Sequence, residues 1–284
     1  SLALENAQLV ERMIAEARRR QEIEAENEQR ARELEEARQL QLSMLPKSVP
    51  QLPHVEIAAL MRTATEVGGD YYDYHLSNDG TVTLALGDAT GHGIKAGILV
   101  TLIKSIFDAM AHTFFIPDFF NHCTRTIKKM NLGNLYMGMT VLKIQEYKIT
   151  ASAAGMPPFL IFRQDTDSIE EVVLKGMPLG AHSEYPYQQK IFKVYPGDII
   201  LLLTDGFVEL FNANREMLDV EMAKKIFLDA ARNNSDNIIH DLLLAADDGV
   251  APQVVDEGRL EQALEFGITA VIETVENEVG WRWS

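Results

Sequence analysis

From Val55 onward, strand-length apolar runs come in pairs joined by very short turns, and that pairing limits the possible folds more than any other feature. "YYDYHLSNDGTVTLALGD" sets β-forming residues on either side of an Asn-Asp-Gly turn at 78–80, which predicts a hairpin. "YMGMTVLKIQEYKITASAAG" reads as a second hairpin turning near Glu146. "FLIF", "EEVVL", "QQKIFKVY" and "DIILLLTDG" continue as strands punctuated by Pro and Gly, and "ITAVIETV" is a final strand. Apolar residues at Ile94, Ile98, Leu102 and Ile106 have helical spacing. Further helices are expected across Pro117 to Met130 and at about 219–232 and 235–247. Strand pairs with short turns are antiparallel. Helices inserted between hairpins cover the outer faces of the sheets they follow. The expected fold class is α+β, a β-sandwich of two mostly antiparallel sheets flanked by helices, preceded by a long N-terminal helix.

Residues 1–45 have a different texture. They contain no Gly and no Pro and are rich in Glu, Arg, Ala and Leu, all strong helix formers. Glu16 with Arg20 and Glu28 with Arg32 stand at i,i+4 with the acid first, the favourable order. Leu2, Leu9 and Ile23 share one heptad position and Met13 and Leu34 another, with Glu16, Arg30, Asn6 and Arg20 interrupting the seam. A polar helix of this length gains little stability alone. The expectation is a parallel coiled coil that makes the chain a homodimer and carries a signal from upstream; the alternative is a solvated single helix that only links. Pro46, Pro50 and Pro53 end the helix, placing the domain boundary between 1–45 and 46–284. The chain opens on Ser1, which predicts a fragment cut from a longer protein.

The formal charge of −16 argues against a nucleic-acid partner, which needs clustered Lys and Arg. No apolar run approaches the roughly 20 residues of a membrane span. The single cysteine, Cys123, rules out a disulfide framework within the chain and reads as a small buried apolar residue. A cytoplasmic location is expected.

Asp70 and Asp88 stand at the two ends of the first hairpin, each directly after a glycine. A hairpin brings its ends together, so these carboxylates meet at one rim, where they repel unless a cation sits between them. Asp205, in "LLLTDGF", offers a third acid at the end of a buried strand. An all-oxygen site of this kind suits Mg²⁺ or Mn²⁺ rather than zinc. Asp-Gly is also ordinary turn chemistry; Asp79 is read that way, as is Asp205 taken alone. Asp73 is expected to cap or to face solvent.

The blocks "VGGDYYDY", "LALGDATGHGIKAGIL", "AAGMPPFLIF" and "PGDIILLLTDGFVEL" come in an order that resembles the metal-dependent protein phosphatase (PPM) family, in its bacterial SpoIIE/RsbU-type branch. The resemblance spans roughly residues 55–275. It implies a PPM-type sandwich and a dinuclear Mg²⁺ or Mn²⁺ centre that hydrolyses phosphoserine or phosphothreonine on a protein. Carried over by position, Asp88 would bridge the two metals, the carbonyl of Ala89 would ligate one, Asp70 would bind directly or through water, and Asp205 would hold the second. Gly68, Gly69, Gly91 and Gly93 would let backbone approach metal and phosphate. His92 is a candidate donor to the substrate phosphate or leaving oxygen, or else an exposed loop residue. Arg62 is a possible phosphate contact or a surface ion pair. The resemblance also implies a phosphorylated partner of the STAS-domain anti-sigma-factor antagonist type. "SLALENAQLVERM" is similar to the exit helix of a GAF-type sensor, which would be the upstream domain.

One block departs from the family. Its last strand is normally entered by Asp-Asp-x-Thr, whereas this chain has Phe266 and Gly267 in the acidic positions, with Thr269 retained. A phenyl ring and a hydrogen cannot ligate a hard cation. The alternative to an enzyme is therefore an impaired pseudophosphatase acting as a regulated adaptor. Met156, where many relatives have histidine, reads as packing.

Overall fold

A computed structural model describes residues 2–46, 52, 55–61, 67–112, 115–131, 133–204, 220–232, 238 and 269–274. The first hairpin forms as its turn chemistry predicts. Strands β2 (Asp70–Leu76) and β3 (Val82–Ala89) are joined through Gly80 at φ +80°, with the Thr81 amide donating to the Asp79 carboxylate. Helices α2 (Ile94–Met110) and α3 (Ile116–Met130) follow, then the second hairpin, β4 (Met137–Gln145) and β5 (Lys148–Ala154), turning at Glu146. Before them lie the 43-residue helix α1 (Leu2–Met44) and strand β1 (Val55–Leu60). After them come β6 (Phe159–Arg163), β7 (Ser168–Val172), β8 (Lys190–Lys193), β9 (Ile199–Leu203), helix α4 (Val220–Arg232) and β10 (Thr269–Thr274). Strand β7 begins two residues before the expected "EEVVL", because the tight turn ending at Asp167 (φ +48°) sets Ser168 opposite Arg163. The helix expected at 235–247 lies, apart from Ile238, outside the described residues.

The strands form two five-stranded sheets, ordered β2-β3-β4-β5-β8 and β1-β10-β9-β6-β7, with every pairing antiparallel. The expected two-sheet sandwich is observed, and strand alternation explains its layers. On β4, Leu142 and Ile144 point between the sheets, to meet Ile161, Ile200 and Leu202 of the other sheet. Met139 and Val141 point the opposite way, into a core with Leu99, Ile103 and Phe107 of α2 and Phe119 and Phe120 of α3. On β9, Ile200 and Leu202 face inward while Ile199, Leu201 and Leu203 pack under Phe227 of α4. The order is helix, sheet, sheet, helix. A strand covered on both faces reads as an unbroken apolar run, which accounts for "IILLL".

One expectation fails on the outer face of β2. Asp73 neither caps nor meets solvent: it is 4% exposed. It accepts from the Lys104 ammonium at 2.6 Å, the Tyr71 hydroxyl at 3.0 Å and the Tyr74 amide at 2.9 Å. Alternation places Asp73 with Tyr71 on the face that α2 covers, so the side chain is buried and must be paired. Burial raises the Asp73 pKa, against the pull of Lys104. Burial also pushes Lys104 down, but its bonds to Asp73 and Asp108 outweigh this and leave it raised. Cys123 is buried as expected, and burial pushes its thiol pKa up, away from thiolate chemistry. Among the described residues no helix is long and apolar enough to cross a membrane.

The rings of Tyr71, Phe107, Phe119, Phe120 and Tyr187 meet in successive edge-on or tilted contacts, which fix α2 and α3 on the sheet. Truncating the ring that links Tyr71 to Phe119, Phe107→Ala, is expected to cost about 3–5 kcal/mol, read as a lowered urea midpoint. A cost under about 1 kcal/mol would show that this layer does not hold the helices.

Candidate functional site

The register of the first hairpin sets Asp70 directly opposite Asp88, and on the other side of β3 sets Asp88 opposite Gly138 of β4. Leu84 and Leu86 alternate with Ala85 and Ala89, so Asp88 shares the inter-sheet face with the leucines while Ala89 joins the core under α2. Both aspartates are half-buried. They therefore sit at the open rim of the sandwich, on neighbouring strands and on the same face.

Other elements end at this rim. Met139 pairs with Ala154 at the end of β5, and the chain then passes Gly155 and Met156 to enter β6. Since β6 runs antiparallel to β9, with Leu160 opposite Leu201, the start of β6 lies beside the end of β9. Thr204, buried, is the last described residue there, and Leu203 is also paired with Thr269 of β10. Asp205, which follows Thr204, lies outside the described residues, as do Phe266 and Gly267 before β10, and Arg62.

The space beside Asp88 is made of oxygen and bare backbone. A Cβ on Gly69 would stand 2.5 Å from the Ala89 carbonyl oxygen, 3.0 Å from Asp88 Oδ1 and 3.2 Å from the Gly91 carbonyl oxygen. Three oxygens thus converge on a spot that only glycine leaves open. On the other side, a Cβ on Gly138 would stand 2.9 Å from the Met156 sulfur and 3.3 Å from the Gly155 carbonyl oxygen. Met156 is partly buried and packs against the inter-sheet core, in keeping with the packing role expected of it. Among the described residues no group of three or more His, Cys, Asp or Glu is placed to hold a metal ion. What the rim offers is two carboxylates and backbone carbonyls, hard donors that fit Mg²⁺ or Mn²⁺ and would fit zinc poorly.

The loop from Asp88 to α2 is held from two sides. The Ala89 amide donates to the Gly69 carbonyl (2.9 Å) and the Gly93 amide to that of Val67 (3.0 Å). The Thr90 amide donates to the Tyr136 carbonyl (2.9 Å), while the Tyr136 amide donates to the Thr90 hydroxyl (2.9 Å). Gly91 (φ +81°) and Gly93 (φ +78°) take the left-handed turns that bring the loop back. His92 sits exposed between them.

The segment that flanks this loop, 67–69, is itself held by a contact that sequence reasoning missed. Near the end of α1, the buried Gln41 side chain donates from Nε2 to the Gly68 carbonyl (2.8 Å) and accepts from the Gly68 amide (3.1 Å). Both backbone groups beside Gly69 are thus satisfied by one amide of the N-terminal helix. Leu34, Ala37, Gln41 and Met44 fall at alternating spacings of three and four, so the signal was a lone polar residue on an otherwise apolar stripe.

Residues 78–254 match the sequence model of the family described as Stage II sporulation protein E (SpoIIE), a span that contains Asp88 and Asp205 and begins beyond Asp70. The phosphoserine phosphatase RsbU of Bacillus subtilis (strain 168) is 26% identical over 185 residues, covering 64% of this chain and 55% of that protein. The chain therefore spans about half the length of that relative. The SiaA-PP2C domain of Pseudomonas aeruginosa has a TM-score of 0.72 at 16% identity, covering 88% of this chain and 98% of the other. The RsbU and RsbW domains of a Mycobacterium tuberculosis protein give 0.68 at 20%, covering 83% of this chain and 64% of the other. These structural likenesses speak for the fold, which is PP2C-type, as the four blocks implied.

Gly69→Ala puts a methyl against the Ala89 carbonyl while leaving the hydrophobic layers untouched. The expected outcome is a loss of Mn²⁺ affinity of about tenfold or more, measured by titration calorimetry, with far-UV circular dichroism unchanged. Unaltered affinity would place cation binding away from this rim.

Proposed function

Because the chain belongs to the SpoIIE family, we propose that it is a Mg²⁺- or Mn²⁺-dependent phosphatase acting on phosphoserine or phosphothreonine in a protein. The observation that carries this reading is the pairing of Asp70 with Asp88 on one rung of the ladder, beside the inward-turned carbonyl of Ala89. Asp88, Asp70 and the Ala89 carbonyl would hold the cation, and Asp205, next after Thr204, would complete the set for a second. When bound, such cations supply Lewis acidity that acidifies water and neutralises phosphoryl charge. The protein's own part is positioning. The ladder holds the two carboxylates, and Gly69 and Gly138 leave room for backbone and substrate to approach. His92 is exposed where it can donate to a phosphate or leaving oxygen. Cys123, buried with a raised pKa, supports a route without a cysteinyl intermediate.

The substrate of this reading is a serine- or threonine-phosphorylated switch protein of the STAS-domain anti-sigma-factor antagonist type. The RsbU and RsbW domains found together in the M. tuberculosis protein favour a place in sigma-factor control. Residues 1–45 form the linker of this reading and 46–284 the phosphatase domain. Residues 11–33 of α1 are exposed throughout, with Met13 62% and Ile23 49% exposed, which favours a homodimer paired along this helix. The Gln41–Gly68 contact gives an upstream sensor a path to the site, since turning α1 would move the backbone beside Gly69. Proline insertion between residues 30 and 40 is expected to change turnover with the rim residues intact; equal turnover would remove this path.

Phe266 and Gly267 favour the second reading, a pseudophosphatase that binds its partner without hydrolysis. With p-nitrophenyl phosphate and a phosphoprotein in Mg²⁺ or Mn²⁺, the phosphatase reading expects turnover that Asp88→Asn lowers by more than about a hundredfold, beyond the loss of a merely supporting partner. Wild type and Asp88→Asn equally silent, with partner binding kept, would select the adaptor. A gain of turnover in Gly267→Asp would show that the missing carboxylate limits the site.

A further inference from the structure

Strand β2 carries Asp70 at the edge of its sheet, hydrogen-bonded to β3 on one side only. Beyond β3, its contacts include the Tyr72 hydroxyl on the Pro46 carbonyl and two with α2: the edge-on packing of Tyr71 on Phe107 (centroids 6.5 Å apart) and the ion pair of Asp73 with Lys104. Asp88 lies on the chain between the two members of that pair. From Asp73 the chain turns through the hairpin, passes Asp88 and the loop at 89–93, and enters α2 to reach Lys104. The ion pair thus closes a ring of chain that contains Asp88, Ala89 and Gly91. The loop is short, and α2 begins directly after Gly93, so the seat of α2 on β2 bears on the end of the loop that carries the Ala89 and Gly91 carbonyls.

We infer that the part-buried Asp73–Lys104 ion pair is a positioning contact that sets the geometry of the Asp70–Asp88 oxygen rim. The inference rests on the reading of that rim as a cation site. The pair is more than packing would need. Asp73 fills its oxygens with three donors from two elements, and Lys104 is shared with Asp108 at 3.2 Å on its own helix. An apolar pair of similar size would hold the layers equally well. What it would not do is fix the axial position of α2 through a short, directional bond.

The test compares Mn²⁺ affinity and thermal stability in the full chain, by electron paramagnetic resonance titration and calorimetric melting. Lys104→Met leaves the buried Asp73 carboxylate without its cation, and Asp73→Asn weakens the bond that holds the part-buried Lys104, so each should lower both quantities. The double variant Asp73→Asn/Lys104→Met removes both charges, so its melting temperature should return toward wild type. Its Mn²⁺ affinity should stay about tenfold weaker, the loss expected when a contact that orients ligands is cut. Recovery of Mn²⁺ affinity in step with stability would overturn the inference and leave the pair a structural one, as would single variants that bind Mn²⁺ like wild type. Asp88→Asn in the same titration separates the two claims: unchanged Mn²⁺ binding there would overturn the cation-site reading itself.

Discussion

Two carboxylates facing each other across one rung of a β-ladder are the constraint around which this molecule is arranged. Opposite residues have Cβ atoms about 5 Å apart. At that distance two negative charges repel by about 3 kcal/mol in an effective dielectric of about 20. Asp70 and Asp88 are held in this relation by register, and the register is held by the apolar alternation of β2, β3 and β4. A slip of one residue would turn Asp88 into the core under α2 and Ala89 to the rim. Burial of Leu84 and Leu86 on one face and Ala85 on the other forbids that slip. The hydrophobic layers thus hold in place a carboxylate pair that an oxygen-seeking cation would relieve.

Bare backbone is the second requirement. The convergence of Ala89, Gly91 and Asp88 oxygens on Gly69 tolerates no side chain there. The loop that brings them in is pinned by Val67 and Gly69 on one flank and by Tyr136 on the other. The segments beside the loop are held by helices: Gly68 by Gln41 of α1, and Asp73 of β2 by Lys104 of α2. Elements remote from the rim in sequence thereby bear on its geometry through two directional polar contacts, the Gln41 amide buried and the Lys104 ammonium part-buried.

Most of the architecture was legible because strands and helices here keep their local signals. The Asn-Asp-Gly turn, the positive-φ Glu146 and the helical spacing from Ile94 all declare themselves without knowledge of the partners they pack on. The meeting of Asp70 and Asp88 was legible for the same reason, since a hairpin fixes its own ends. Asp73 was misread because its burial comes from α2, thirty-one residues away, and nothing local distinguishes it from a solvated acid. Gln41 was missed on like grounds: its amide is satisfied by the backbone of Gly68, and a side-chain-to-backbone contact leaves no complementary residue type to find.

The central claim is that the rim binds a divalent cation through Asp88 and its neighbours. Anomalous diffraction at the manganese edge, from crystals grown in Mn²⁺, tests it most directly. The account predicts a peak at about 2.1 Å, the span of a hard dication to oxygen, from the Asp88 carboxylate and the Ala89 carbonyl. An empty rim with the aspartates bridged by a shared proton, or manganese bound only elsewhere, would contradict it.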